Sequence, residues 1–345
     1  MKVIVDDKIP YIREALSTMK VDACYVAGSD INSEIVRDAD ALIVRTRTNC
    51  NAELLEGSRV QFIATATIGY DHIDTAYCES HGIRWTNAPG CNAASVCQYI
   101  QSVLLLLQRE HGLRLSGATL GVVGVGHVGT LVVEMAHSWG MHVLCCDPLR
   151  AERGEAGFVP LETIVRESDV ITLHTPLTKE GVHPTYHLAD KSFFSFLQRK
   201  PYFINTSRGE TTDTMALLQA LECGKISQCI IDVWEQEPNI NLELLNRCYI
   251  GTPHIAGYSA DGKANATRMS LEALSQHFGL GDVPEILPPS PSQMPFFADS
   301  REEALLEIYN PHNDSRALKT SPSLFEYFRG CYPLRREEQA YGLNL

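Results

Sequence analysis

Three polar segments in the second half of the chain hold residue types that could move a proton and grip an acid: Asn205-Thr-Ser-Arg208-Gly209, Trp234-Glu-Gln-Glu237-Pro238 and Pro253-His254-Ile-Ala-Gly257. Each follows a short apolar run, at 202–204, 230–233 and 249–250. Arg208, Glu237 and His254 are therefore expected where strands end, the edge at which open α/β sheets bind ligands. A guanidinium presents a planar fork to a carboxylate. An imidazole can take and return a proton near neutrality. A carboxylate on its far ring nitrogen fixes the tautomer and stabilises the imidazolium. Taken singly, the three segments also read as a solvated turn, a surface turn and a capped loop. Their succession at three strand ends favours chemistry on a small acid.

The elements that must position these groups alternate from the start. Strands are expected at 3–5, 24–26, 41–44, 62–65 and 83–85, with helical segments between them. A long helix at 94–108 follows. A second series of strands then runs through 118–123, 142–146, 170–173, 202–205, 229–232 and 249–250. This βα alternation implies α/β architecture: two doubly wound parallel sheets, each covered on both faces. A helix is expected at 264–278, then a proline-rich break from Pro284 to Pro291 that favours an extended linker. Residues 1–93 with 257–282 are expected to form one domain and 94–256 a second. Residues 283–345, more polar and weakly periodic, are expected to form a small third.

The second series opens on Gly124-Val-Gly126-His127-Val128-Gly129, directly after a strand and at the start of a helix. The first glycine permits the tight turn, the second lets backbone approach a pyrophosphate, and the third packs helix on strand. The helix N-terminus then faces the anion. Asp147 closes the next strand, 18 residues after Gly129, where a carboxylate suits a ribose 2′-hydroxyl. The pairing predicts a dinucleotide site and favours NAD, although Arg150 and Arg153 could instead hold the 2′-phosphate of NADP.

A formal net charge of −13 argues against general nucleic-acid or anionic-membrane binding. The longest apolar run, 103–107, is far short of a membrane span. Eleven cysteines without CxxC spacing suit a reducing cytoplasm rather than a disulfide framework or a metal site.

The glycine loop, Asp147, His174-Thr175-Pro-Leu177, the Arg208, Glu237 and His254 segments, and Asp232 together resemble the D-isomer-specific 2-hydroxyacid dehydrogenases. The resemblance implies a flavodoxin-like substrate domain, a Rossmann domain for NAD and an additional C-terminal α+β dimerisation domain, hence a homodimer. It implies that Arg208 binds the substrate carboxylate, His254 is the acid/base and Glu237 its partner. Thr175, Thr206, Ser207, Asp232 and Gly257 would line the nicotinamide end. Further segments, Val44-Arg45-Thr46, Ala66-Thr67-Ile-Gly-Tyr-Asp-His72 and Ile255 to Lys263, point to a branch that takes a phosphorylated hydroxy acid. Thr46, Thr67 and Tyr258 match substrate positions there. Arg45 and Lys263 are physical candidates for the phosphate, and read equally as a surface ion pair and a solvated helix end. The chain departs from the family at Glu210-Thr211-Thr212-Asp213, polar where a buried strand start is expected, and in a shorter C-terminal segment. A phosphoglycerate or hydroxypyruvate type of dehydrogenase, or a non-catalytic NAD-sensing protein, would share the nucleotide loop.

Overall fold

The computed structural model describes residues 1–291 and 298–342. The remaining residues of the expected C-terminal domain, 292–297 and 343–345, lie outside that set. The chain divides into two compact units, Met1–Asn92 with Ser259–Ser290, and Ala93–Tyr258 with Pro291–Leu345.

The first unit is built on five parallel strands, β1 (Lys2–Asp6), β2 (Asp22–Val26), β3 (Ala41–Val44), β4 (Phe62–Thr65) and β5 (Arg84–Thr86), in the order β2-β1-β3-β4-β5. Side chains alternate between faces along a strand. Val3, Val5, Ala41, Ile43, Phe62 and Ala64 accordingly pack into one core, while Ile4, Leu42, Val44 and Ile63 pack into the other. Burial on both faces is why these strands read as unbroken apolar runs. The helix Ala260–Phe278 returns the chain to this unit and sets Leu271 and Leu274 on the first of these faces. Its start is fixed by Ser259, whose Oγ accepts from the Gly262 N–H at 2.8 Å. The strand order reverses between β1 and β3, the switch point at which doubly wound sheets leave a crevice.

The second unit holds β6 (Thr119–Val123), β7 (His142–Cys146), β8 (Val170–Leu173), β9 (Tyr202–Asn205), β10 (Gln228–Ile231) and β11 (Ile250–Gly251), all parallel, in the order β11-β10-β9-β8-β6-β7. Phe158 makes a single parallel bridge to Cys145 beyond β7. Counting that bridge as a vestigial strand restores the 3-2-1-4-5-6 order of a dinucleotide fold, with one strand more at the far edge. The switch point falls between β6 and β8. The helix Ala93–His111 lays its whole apolar run, Val103 to Leu107, into the core on one face.

The C-terminal segment departs from expectation. Its described residues form helices at Arg301–Ile308, Pro311–Thr320 and Phe325–Gly330 and no strand, rather than an α+β domain. The local chemistry explains this. Residues 298–342 contain no valine and one isoleucine, so they lack the β-branched runs a strand would use. Ser300 and Asn310 cap the first two helices through their side chains, and Pro311 sits at the first helical position. Leu305, Leu306 and Tyr309 join one core of the second unit, and Leu318 and Phe325 join the other. The arm that follows runs along the helix Ala93–His111. Ser95 Oγ donates to Glu337 Oε1 at 2.7 Å, Gln98 Nε2 to the Arg336 carbonyl at 3.2 Å, and Gln101 Nε2 to Glu338 Oε1.

Burial raises the Glu338 carboxyl from 4.5 to about 7, with Glu337 adding to the rise and Arg301 opposing it. Below pH 4.5 the group is neutral folded and unfolded, so it contributes nothing to stability. Between 4.5 and 7 only the unfolded chain ionises, and stability falls with rising pH by on the order of 3 kcal/mol. Glu338→Gln should therefore leave the urea midpoint at pH 4 unchanged and raise it at pH 7.5. An equal midpoint for both proteins at pH 7.5 would show that the carboxyl ionises at no cost.

Candidate active site

The glycine loop meets each requirement of a pyrophosphate cradle. Gly124 has φ +86°, and a Cβ there would press on the carbonyl of His174 and the methyl of Thr175. A Cβ on Gly129 would collide with the Gly124 carbonyl oxygen, so helix and strand meet backbone to backbone. In front of Gly126, by contrast, a Cβ would touch nothing within 4 Å. The open space thus lies before the N-terminus of the helix His127–Ser138, whose first N–H groups have no intrahelical acceptor.

Asp147 Oδ2 accepts from the Val125 N–H at 3.0 Å and Oδ1 from the Arg150 N–H at 3.1 Å, so the carboxylate is fixed beside the loop. Arg150 Nε donates to Glu155 at 2.7 Å and Arg153 Nη2 to the same side chain at 3.1 Å. The two arginines that could have served a 2′-phosphate thus share the single carboxylate of Glu155. Thr175 and Thr206, at the carboxyl ends of β8 and β9, each bury a hydroxyl oxygen with no partner. Such groups are rare in folded proteins and ask for an explanation. Two of them on the edge that carries the glycine loop fit a polar ligand, and the donor set fits a dinucleotide. His174, at the end of β8, is kept neutral: burial drives its pKa down to about 3, and its Nε2 lies 3.0 Å from the Thr172 hydroxyl.

Arg208 follows β9 on a loop held by one buried amide. Asn205 Nδ2 donates to the Arg208 carbonyl at 3.0 Å, to Thr211 Oγ1 at 3.1 Å and to Thr212 Oγ1 at 3.0 Å. Its Oδ1 accepts from the Ser207 N–H and hydroxyl at 3.0 and 2.9 Å. The Thr211 and Thr212 pair that looked misplaced in sequence is the polar complement of Asn205. The expected strand start is one 3-10 turn, Gly209–Thr211, with its hydroxyls satisfied. Gly209 leaves no room for a side chain against the Trp234 carbonyl, which locks the arginine loop to the loop after β10. A second lock joins them, His187 Nε2 to Glu235 Oε1 at 2.8 Å, with Glu235 Oε2 accepting the Thr214 N–H at 2.9 Å. Ser207 is buried with its hydroxyl turned to Asn205, so toward a ligand it can offer little beyond backbone.

His254 and Glu237 meet. His254 Nδ1 lies 2.8 Å from Glu237 Oε2, and Glu237 Oε1 accepts the Trp234 N–H at 2.9 Å. Burial pushes the Glu237 pKa up. The hydrogen bond and charge of His254 and the Trp234 N–H outweigh it, and the group stays below its usual value. An ionised Glu237 accepts from Nδ1, so in the neutral ring Nε2 is the nitrogen with the lone pair, on a side chain 31% exposed. His254 has φ +57°, a costly conformation for a residue with a Cβ, and one that marks a constrained turn.

Asp232 supplies the constraint. Its Oδ1 accepts from Thr252 Oγ1 at 2.6 Å and the Ile255 N–H at 2.8 Å, and its Oδ2 from the Ala256 N–H at 3.0 Å. Tyr99, from the long helix, extends the chain to Thr252 at 2.8 Å. Burial raises the Asp232 pKa against the opposing pull of His254 and these three donors. Asp232 was expected to line the nicotinamide end; its hydrogen bonds here shape the turn between Thr252 and Gly257. Sequence alone did not point to Thr252, Tyr99 or Asn205 as supports. A buried polar residue beside a strand end was the signal available.

The substrate candidates fall in both units. In the first, Arg45 and Thr46 follow β3 and Thr67 follows β4, at the carboxyl edge of the sheet. Arg45 Nη1 donates to the Lys8 carbonyl at 2.9 Å, which ties the loops after β1 and β3 together across the switch point. Thr46 is exposed. Thr67 Oγ1 donates to the Gly69 carbonyl at 2.8 Å and lies 2.7 Å from Thr65 Oγ1, which in turn meets His72 Nε2 at 2.9 Å. His72 is thus a structural histidine, its pKa lowered by burial against the pull of Asp71. Lys263 lies in the first turn of the helix Ala260–Phe278. In the second unit, Tyr258 packs edge-on against Tyr332 at 6.0 Å, with the Arg329 guanidinium 5.9 Å above its ring.

The model of the D-isomer specific 2-hydroxyacid dehydrogenase, NAD binding domain, matches residues 102–256. The erythronate-4-phosphate dehydrogenase of Bacteroides thetaiotaomicron is 58% identical over 344 residues, 99% of this chain and 99% of that protein. The NAD+-bound 3-phosphoglycerate dehydrogenase of Entamoeba histolytica superposes with a TM-score of 0.68 at 27% identity, covering 84% of this chain and 99% of that one. The D-lactate dehydrogenase of Aquifex aeolicus, complexed with NAD and lactic acid, superposes at 0.64 and 28%, covering 81% and 96%. A likeness in sequence over the full length, matched by a likeness in fold, leaves one conclusion: the chain belongs to the D-isomer specific 2-hydroxyacid dehydrogenases, in the group of the erythronate-4-phosphate dehydrogenases.

Proposed function

We propose that this enzyme oxidises the C2 hydroxyl of 4-phospho-D-erythronate, giving (R)-3-hydroxy-2-oxo-4-phosphooxybutanoate on the route to pyridoxal 5′-phosphate. The observation that carries the reading is the 2.8 Å contact between His254 Nδ1 and Glu237 Oε2. It fixes the ring with Nε2 turned away from the carboxylate, in a chain whose near-full-length relative is named for this reaction. NAD, when bound, accepts the hydride from C2. The Gly124–Gly129 loop and Asp147 would hold its pyrophosphate and ribose, and Thr175 and Thr206 would offer their unpartnered hydroxyls.

His254 Nε2 takes the C2 hydroxyl proton as the alcohol becomes a carbonyl. Glu237 stabilises the imidazolium that results and returns the ring to the same tautomer afterwards. Arg208 grips the C1 carboxylate with its planar fork and places positive charge beside the C2 oxygen as it becomes a carbonyl. Thr46, Thr67, Arg45, Tyr258 and Lys263 are the proposed contacts to the phosphorylated end. A homodimer in the cytoplasm completes the reading. Family likeness supports the first, and eleven free thiols support a reducing compartment.

His254→Ala should retain NAD affinity and lose about 10²- to 10⁴-fold in kcat; wild-type turnover in that variant would refute the acid/base role. Arg208→Lys keeps charge but loses the fork, so kcat/KM should fall while NAD binding holds. Substrate identity is read from kcat/KM with 4-phosphoerythronate against 3-phosphoglycerate, and a preference for the second would move the enzyme to another branch of the family.

A further inference from the structure

We propose that Arg335, carried by the C-terminal arm, is a positioning residue for the turn that holds His254. The inference rests on the acid/base reading of His254. Arg335 is 5% exposed. Its Nη1 donates to the Ile255 carbonyl at 3.3 Å, and its Nη2 to the Ala256 carbonyl at 2.6 Å and the Ser95 carbonyl at 2.7 Å. Its guanidinium carbon lies 4.1 Å from the centre of the Tyr309 ring.

Ile255 and Ala256 are the two residues whose N–H groups are taken by Asp232, at 2.8 and 3.0 Å. The peptide between them, with the Ile255 carbonyl and the Ala256 N–H, therefore lies between two buried charges, carboxylate on the N–H side and guanidinium on the carbonyl side. The dipole of that peptide lies along the line from guanidinium to carboxylate, so both groups favour one orientation of it. His254 precedes this clamp in the left-handed region, its own N–H held by the Asp232 and Thr252 carbonyls at 2.7 and 3.0 Å. A strained residue keeps one conformation only when both flanks are determined. Asp232 and Thr252 determine one flank, and Asp232 with Arg335 the other.

Stability alone does not account for an arginine here. A buried guanidinium is costly to desolvate, and an apolar side chain of similar volume often serves stability as well or better. Its Nε is buried without a partner, a further cost. The arm is held besides by Ser95 to Glu337, Gln98 to Arg336 and Gln101 to Glu338, none of which needs Arg335. What a methionine could not do is hold the three carbonyls, two of which, Ile255 and Ala256, belong to the turn itself.

The test is Arg335→Met in the full chain, with kcat, KM for 4-phosphoerythronate, NAD affinity by fluorescence titration and the melting curve measured together. Displacing an acid/base by a fraction of an ångström predicts a kcat loss of about 10- to 100-fold, with NAD affinity within about twofold of wild type. Guanidinium chloride at low millimolar concentration should restore part of the lost kcat, and methylammonium chloride at equal ionic strength should not. Arg335→Lys, which can reach one carbonyl but not all three, should fall between the two and covers the case in which the methionine variant does not fold. Wild-type kcat in either variant overturns the proposal, as does a loss of turnover matched by an equal loss of NAD affinity and untouched by guanidinium. An active Arg335→Met beside an inactive His254→Ala would reject this inference alone; an active His254→Ala would reject the reading beneath it.

Discussion

A buried carboxylate must find donors or be neutralised, and most of the site geometry follows from how Asp232 finds its own. At 1% exposure it has no water to turn to. It takes the Thr252 hydroxyl and the N–H groups of Ile255 and Ala256 instead. That choice bends the chain sharply after β11 and puts His254 into a left-handed conformation. The imidazole then projects toward the loop after β10, where Glu237 waits with its other oxygen fixed by Trp234. The Trp234 indole closes the circuit by donating to the Thr252 carbonyl at 2.9 Å. Pairing of histidine and glutamate is thus a consequence of backbone solvation, with side-chain attraction added to a geometry already set.

The nucleotide edge obeys a different constraint, close backbone approach. Gly124, Gly126 and Gly129 differ in what surrounds them. One is crowded by the His174 carbonyl, one faces open space, and one is pressed on the Gly124 carbonyl. Only the middle position is left for a ligand. Asp147 is held by two backbone N–H groups, and Glu155 ties up both nearby arginines. The carboxylate of Asp147 is thus fixed where a ribose hydroxyl would meet it, and Glu155 draws the guanidinium groups of Arg150 and Arg153 toward itself.

What could be read from sequence is what leaves a local trace. β3, β4, β7, β8 and β9 lie where their apolar runs predict: all but β7 are buried along almost their whole length, and a polar residue ends or follows each. Arg208, Glu237 and His254 stood out for the same reason, as reactive groups just past such runs. Contacts between residues far apart leave no period and no motif. Tyr99 reaches Thr252 across 153 positions, and Arg335 reaches Ser95 across 240. The arm itself is short, polar and irregular, so its burial against the helix Ala93–His111 had no signature. Thr211 and Thr212 were visible as an anomaly, but only the three-dimensional position of Asn205 explains them.

Chemistry and recognition therefore depend on different physics in this chain. The proposed acid/base, its partner and the arginine loop all belong to the second unit, where buried charges and one saturated amide hold the loops. The candidates for the phosphorylated end at β3 and β4 belong to the first unit and are less constrained. Thr46 is exposed, and Arg45 is anchored by a single backbone carbonyl. A carboxylate and a hydroxyl on adjacent carbons are common to every 2-hydroxy acid, so one fixed arrangement of groups can serve them all. The far end of the substrate is what differs among such acids. It suits loops at a switch point, whose side chains can change without disturbing Asp232 or the turn it holds.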